Sequence, residues 1–238
     1  MIKKTQRLGL LLPSSNTTQE PEFISVLPEN VSLHCARLSL SNIDKNSTIA
    51  IVNELEAEAK KLLDAQADAI VLSATAPSTR KGKGYDQELC DRIRNATGKP
   101  AMTAATAMLQ AFQTLNVKSI VLGAPWTDAT NEFVGNFIEE NGVSVLSRTA
   151  MGHVSNLEVG NLDSQTAYDL GKAISRADAD AIFLACGNWL TMDVVEKLEA
   201  DTGKVVLTTN GCAIWAVLKM LGGHRRIDGF GRLLRDHL

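Results

Sequence analysis

The chain has 238 residues, 45% hydrophobic and 21% charged, with a formal net charge of −3. This is ordinary globular composition with enough material for one large domain or two small ones, and the absence of a long basic run argues against a nucleic-acid surface. No apolar run reaches the roughly 18 residues of a membrane span, and Leu8 to Leu12 is too short for a secretory core, so a cytoplasmic location is expected.

The first element is a buried strand, Leu8 to Pro13, followed by the polar turn Ser14-Ser15-Asn16-Thr17-Thr18. A helix from Glu20 to about Leu27 and a second strand from Val31 come next. The phrase Ser41-Asn42-Ile43 then precedes a long amphipathic helix, Ile49 to Ala65. A third strand follows in Ala67-Asp68-Ala69-Ile70-Val71-Leu72-Ser73-Ala74, and a helix after it stops at Thr97-Gly98-Lys99-Pro100, with glycine in the stop position. Ala101 to Ala105 makes a fourth strand, and a helix follows.

The same series then recurs with an offset of 112 residues, Pro13 matching Pro125 and Asp68 matching Asp180. The second copy runs through Ser119 to Pro125, a helix from Asn131 to Glu140, a strand from Val143, Ser155-Asn156-Leu157, and a helix from Ser164 to Ala177. A strand ending at Cys186, a helix stopping at Thr202-Gly203-Lys204, and a strand from Val205 to Thr209 complete it. Strands alternating with helices give parallel sheets with right-handed crossovers. The expected fold is therefore α/β, with two pseudo-symmetric lobes, each a four-stranded parallel sheet flanked by helices. The first lobe spans 1–112, with 211–238 returning to pack on it, and the second spans 113–210.

Ligands of parallel α/β sheets bind beyond the carboxyl ends of the strands. Here those ends carry Pro13 to Thr18, Ala74 to Thr79, Trp126 to Asp128 and Cys186 to Asn188, all facing one interlobe pocket. Ser14, Ser15, Thr17, Thr75, Ser78 and Gly187 supply amides and hydroxyls that bind carboxylates without a formal charge, and Pro13 at the first strand's end is placed with them in the carboxylate site. The amides of Thr75, Ala76, Gly187 and Asn188 are candidates for an oxyanion hole. No glycine-rich dinucleotide or phosphate-loop pattern occurs, so no nucleotide cofactor is expected.

The four cysteines, Cys35, Cys90, Cys186 and Cys212, have no metal-ligand spacing, so neither zinc nor disulfides are expected. Cys35 and Cys90 read as buried small hydrophobes, and Cys212 as a second, poorer candidate near a helix start. Cys186 ends a strand just before a turn that opens a helix, with Thr191 as cap and Asp193 in the first turn. Helix-start amides there should lower its pKa and suit it to proton transfer or nucleophilic attack. The first lobe offers Ala74 at the matching place. His34, His153, His224 and His237 read as surface or packing residues, which makes a Cys-His hydrolase a poor fit. Trp126 and Trp189 can either line the pocket or pack the core.

These residues resemble the aspartate/glutamate racemase superfamily, within it the branch of maleate cis-trans isomerases and arylmalonate decarboxylases. Leu12-Pro13-Ser14-Ser15-Asn16-Thr17-Thr18 resembles the isomerase N-terminal motif, and Ser155-Asn156-Leu157-Glu158-Val159-Gly160 its second asparagine motif. Cys186-Gly187-Asn188-Trp189-Leu190-Thr191-Met192-Asp193 is most similar to the decarboxylase cysteine loop. The resemblance implies no cofactor and a small-molecule carboxylate substrate. Two-cysteine members place a thiol on each face of the substrate, and Ala74 departs from them. The decarboxylases also lack that first thiol and protonate an enolate from one cysteine, which would be Cys186. Thr75, Ala76, Gly187 and Asn188 would hold the enolate oxygens. Asn16 and Asn156 match the isomerase carboxylate binders, and Trp126 replaces the usual tyrosine.

The reading adopted is decarboxylation of a small substituted malonate. Its rivals are an isomerase or racemase in which a hydroxyl such as Thr75 or Ser73 replaces the missing thiol, and a catalytically silent carboxylate-binding protein. A homo-oligomer is left open.

Overall fold

The computed structural model describes residues 6–223 and 226–238. Both copies of the repeat fold alike. In the first, β1 (Gln6–Pro13), β2 (Val31–Leu38), β3 (Ala69–Leu72) and β4 (Ala101–Thr103) form a parallel sheet in the order β2-β1-β3-β4. In the second, β5 (Ser119–Trp126), β6 (Ser144–His153), β7 (Ala181–Leu184) and β8 (Val205–Thr208) give the order β6-β5-β7-β8. The central strands are buried on both faces, which is why they read as unbroken apolar runs.

The helices of the first lobe are α1 (Gln19–Val26), α2 (Lys45–Ala50), α3 (Leu55–Asp64), α4 (Thr75–Thr79), α5 (Tyr85–Thr97) and α6 (Ala104–Thr114). Those of the second are α7 (Asp128–Glu140), α8 (Asn156–Gly160), α9 (Ser164–Ile174), α10 (Val195–Thr202) and α11 (Thr209–Met220), with α12 (Arg232–Asp236) in the tail. Gly98 and Gly203 end α5 and α10 at φ values of 68° and 70°, a left-handed stop that glycine adopts without a Cβ clash.

Three expectations need correction. The long helix predicted from Ile49 to Ala65 is broken into α2, a 3-10 turn at Ile51–Glu54, and α3. Asp44 caps α2 by accepting from the amides of Asn46 and Ser47, so the chain turns into helix earlier than its apolar pattern suggests. The fourth strand of the first lobe stops at Thr103, whose hydroxyl caps α6, so Ala104 and Ala105 are helical.

The last helices are exchanged between lobes. Phe112 on α6 meets Phe183 on β7 of the other sheet edge-to-face, with ring centroids 5.6 Å apart. Reciprocally, α11 packs on β3 and α1 of the first lobe and lies beside α6. Within 211–238, α11 and Leu221 just beyond it, whose carbonyl accepts from the Gln6 side chain of β1, reach the first lobe among the described residues. The α12 tail packs on β8, and Arg235 pairs with Glu196 of α10.

The pseudo-symmetric motifs also touch. Asn42 and Ser155 form an antiparallel bridge, with Ile43 N donating to Val154 O (2.8 Å) and Asn156 N to Ser41 O (3.0 Å). So the two Ser-Asn phrases pair with one another across the junction. No helix among the described residues is long and apolar enough to cross a membrane.

Because α6 covers the partner lobe's sheet, truncating its anchor should loosen both lobes together. Phe112→Ala is expected to lower unfolding free energy by about 3–5 kcal/mol, read by urea denaturation, with a single transition retained.

Candidate active site

The carboxyl ends of β1, β3, β5 and β7 open on one small cavity of about 30 Å³ between the lobes. Pro13, Asn16, Ala74, Thr75, Ala76, Trp126, Asn156, Cys186, Gly187 and Asn188 all line it. Ser14 does not. It is exposed, and its hydroxyl is tied to the Leu40 amide (3.1 Å) and carbonyl (3.3 Å), fastening the loop after β2. Ser78 also turns away, its hydroxyl donating to the Ala74 carbonyl at 2.8 Å.

Ala74 and Cys186 share the cavity, one from each lobe. The Cys186 amide donates to the Thr209 hydroxyl (3.1 Å), which in turn bonds the Thr75 hydroxyl (2.8 Å). Two hydrogen bonds therefore join the residues after β3 and β7. Cys186 holds a φ of 148°, a conformation that side chains other than hydrogen rarely adopt and that costs on the order of 1–3 kcal/mol. Gly187 must be glycine for a different reason: a Cβ there would lie 2.2 Å from Gln19 Nε2.

The expected low pKa of Cys186 is overturned. The chain after β7 does not enter a helix at once: Thr191 precedes a short 3-10 turn at Met192–Val194, makes no side-chain cap bond, and α10 starts only at Val195. Burial dominates and pushes the thiol up to about 12, against the pull of the Asn188 and Trp189 amides; the nearby Glu22 carboxylate pushes it the same way as burial. At neutral pH the group is a thiol, fit to give a proton and poorly suited to attack. Cys212 lies inside α11, fully buried, with its pKa also raised by burial. Burial lifts Cys35 to about 12 and raises Cys90.

Three other assignments change in detail. Trp126 is a wall, since its indole N–H donates to Asn131 Oδ1 (3.2 Å) and offers nothing to the cavity. Trp189 is core, with its N–H on the Thr166 hydroxyl (2.9 Å). Asn188 points its amide at the Cys186 sulfur, and its side chain holds the Thr17 amide (2.8 Å) and the Asn156 carbonyl (2.6 Å), so it is no oxyanion donor. Asn16 caps α1 through the amides of Thr18 (3.0 Å) and Gln19 (2.9 Å), and Asn156 donates to the Ser15 hydroxyl (2.8 Å). Each carboxamide thus has fixed orientation at the cavity wall. The first intrahelical bond of α4 runs from Ser78 N to Ala74 O, which leaves the Thr75 and Ala76 amides free of helical partners.

Leu40, Ile43, Pro77 and Trp126 supply an apolar stretch of the wall, Thr48 and Ser73 complete the lining, and no lysine, arginine or histidine lines the cavity among the described residues. His153 pairs with Glu158 (3.8 Å) and His34 meets the Ser32 hydroxyl (2.9 Å), away from the cavity; His224 lies outside the described residues.

Sequence reasoning missed Gln19, Glu22, Thr209 and Asn210, all buried. Gln19 and Glu22 were detectable: they fall on the same helical stripe as Phe23 and Val26, polar residues in core positions. Thr209 and Asn210 stand where the first copy has Ala104 and Ala105, each pair opening the helix after the fourth strand.

Fold and site together are those of a two-lobed enzyme family of the decarboxylase-isomerase type, here with a buried thiol in the cavity wall. The family model for arylmalonate decarboxylase matches residues 8–234, and the chain belongs to that family. It is 30% identical to maleate isomerase of Pseudomonas putida over 96% of each chain, and 25% identical to arylmalonate decarboxylase of Bordetella bronchiseptica over 98% of each. Among solved structures, a maleate isomerase of Pseudomonas putida S16 crystallised with maleate superposes with a TM-score of 0.94 at 25% identity, covering 98% of both chains. A liganded double mutant of arylmalonate decarboxylase gives 0.90 at 25% identity, covering 97% of this chain and 99% of that one.

Two outcomes test the site's physics. Cys186→Gly relieves the positive φ, and Cys186→Ala keeps it, so the glycine variant should unfold about 1 kcal/mol less readily in urea. Glu22 is raised by burial to about 7 from 4.5, so the folded state holds its proton more tightly than the unfolded chain does. Its contribution to stability is complete below pH 4.5 and disappears as pH rises to 7, by about 3 kcal/mol. Chemical denaturation across that range should show this decline relative to Glu22→Gln.

Proposed function

We propose that this enzyme decarboxylates a small substituted malonate through an enediolate protonated by Cys186. The observation that carries the reading is one buried, neutral thiol on the second lobe's side of the cavity with only the Ala74 methyl on the first lobe's side. Loss of carbon dioxide generates the carbanion without a base, so a second thiol is not needed.

A neutral cavity suits this step. Two carboxylates entering a site without cations are desolvated, which raises the bound ground state. Carbon dioxide leaves neutral, so the negative charge passes to the enediolate, then to the Cys186 sulfur, and is discharged when the thiolate takes a proton from water. The breaking carbon–carbon bond leaves its electron pair in the enediolate, whose oxygens the Thr75 and Ala76 amides stabilise, with the Asn16 and Asn156 carboxamides at the cavity wall. The substituent rests against Leu40, Ile43, Pro77 and Trp126. The Cys186 S–H then gives its proton to the α-carbon, and the resulting thiolate, met by the Asn188 and Trp189 amides, recovers a proton from water.

The likeness to maleate isomerases supports a second reading, cis-trans isomerisation of a small dicarboxylate. Addition of sulfur to a double bond uses a thiolate, which burial disfavours here.

A panel of alkyl-, alkenyl- and arylmalonates together with maleate, monitored for released carbon dioxide and for fumarate, separates the two. Carbon dioxide from a malonate is expected; fumarate without carbon dioxide would sink the first reading. Cys186→Ala should lower kcat/KM by about 10² to 10⁴. Ala74→Cys, which puts a thiol on the opposite face, should create or increase racemisation of the product acid, followed by deuterium uptake at the α-carbon.

A further inference from the structure

The turn that carries the thiol is fastened to a single carboxyl group of the other lobe. Glu22 Oε1 accepts the backbone amides of Thr191 (2.7 Å) and Met192 (2.9 Å), and Oε2 accepts Asn210 Nδ2 (2.6 Å). The same Asn210 nitrogen donates to the Gly187 carbonyl at 3.1 Å. Gln19 backs this arrangement, donating to Asn210 Oδ1 (3.1 Å) and to the Ser73 carbonyl (2.8 Å). Both ends of the segment from Gly187 to Met192 thus lead to Glu22.

We propose that Glu22 is a positioning residue that clamps the thiol-bearing turn and sets a negative charge behind Cys186, favouring the neutral proton donor over the nucleophilic thiolate. This deepens the decarboxylase reading and rests on it for its catalytic meaning. Three donors and no acceptor converge on the carboxyl, so the ionised form satisfies every partner, and protonation removes an acceptor site. The titratable groups that face it are Asp193, on the 3-10 turn, and Cys186 itself, and both are acids. Burial works against ionisation strongly enough that both forms of Glu22 are populated near neutral pH. Taking up a proton would weaken the clamp and remove the charge that opposes thiolate formation. In the matching place on α7 stands Val134, so only the lobe junction that carries the thiol has this device.

The test is the rate of Cys186 alkylation by iodoacetamide, followed by mass spectrometry of the Cys186 peptide from pH 6 to 9. Far below the thiol pKa, lowering that pKa by one unit raises the thiolate fraction tenfold. Glu22→Gln is expected to alkylate at least tenfold faster than wild type at pH 8. Glu22→Asp shortens the clamp but keeps the charge, and should stay within about threefold of wild type. Equal rates for wild type and folded Glu22→Gln would overturn the proposal, as would equal acceleration by both variants, which would assign the effect to access alone. Should Glu22→Gln not fold, wild type still decides: its rate should climb less than tenfold per pH unit across the Glu22 titration near pH 7 and tenfold per unit above it, and a uniform tenfold climb from pH 6 to 9 overturns the proposal. No substrate enters the measurement, so failure of the decarboxylase reading and failure of this proposal are separately visible.

Discussion

Everything in the cleft depends on how the chain leaves β7. Cys186 sits at a backbone angle that it would not hold by itself, and the next six residues are pinned from both lobes. Thr209 takes its amide, Asn210 the Gly187 carbonyl, Thr18 the Asn188 carbonyl, and Glu22 the amides of Thr191 and Met192. All of these partners are buried, where an unmade hydrogen bond costs more than a made one contributes. The strain at Cys186 is thereby over-determined, and the sulfur is aimed without any flexible side-chain support.

The duplication builds the cleft, and its departures from symmetry make the cleft chemical. Ile43 is buried in the wall while its counterpart Leu157 is exposed; Asn42 is exposed while Asn156 is buried. A methyl at residue 74 faces a thiol at residue 186. On α1, Gln19 and Glu22 replace the Asn131 and Val134 of α7. Asn131 binds the Trp126 indole and leaves its own amide nitrogen buried without a partner, whereas Gln19 is fully engaged. In the proposed mechanism a substrate between the lobes therefore meets a thiol proton donor on one side and a methyl at the matching place on the other, an arrangement that delivers a proton to a single face.

Family members with this fold include a decarboxylase and isomerases, and the backbone does not separate them. In the proposed mechanism, thiol number and thiol ionisation do. A desolvated thiol backed by a carboxylate is held as an acid, and an acid is what a carbanion requires. The same sulfur beside a cation or in water would be a nucleophile. In the proposed mechanism cavity charge works in the same direction, because a site without cations does little to stabilise a bound dicarboxylate and leaves the Thr75 and Ala76 amides for the developing enediolate.

Strand number, lobe number and most of the cavity lining were legible in the chain, because a parallel strand buried on both faces must be written as an apolar run, and because the repeat repeats the punctuation at each strand end. Cys186 against Ala74 was legible for the same reason: only one copy has sulfur at the matching place. What tertiary structure alone decided is the electrostatic state of that sulfur. Local sequence suggested helix-start amides and a low pKa, yet desolvation depends on what the other lobe lays over the turn. Thr209 takes the Cys186 amide, and Glu22 and Asn210 hold the turn after it, from residues distant in sequence; the packing of α1 on the start of α11 brings them together. Hydrogen bonds and burial across a junction have no period along a chain, so they leave no pattern in it beyond a polar residue standing where an apolar one should be.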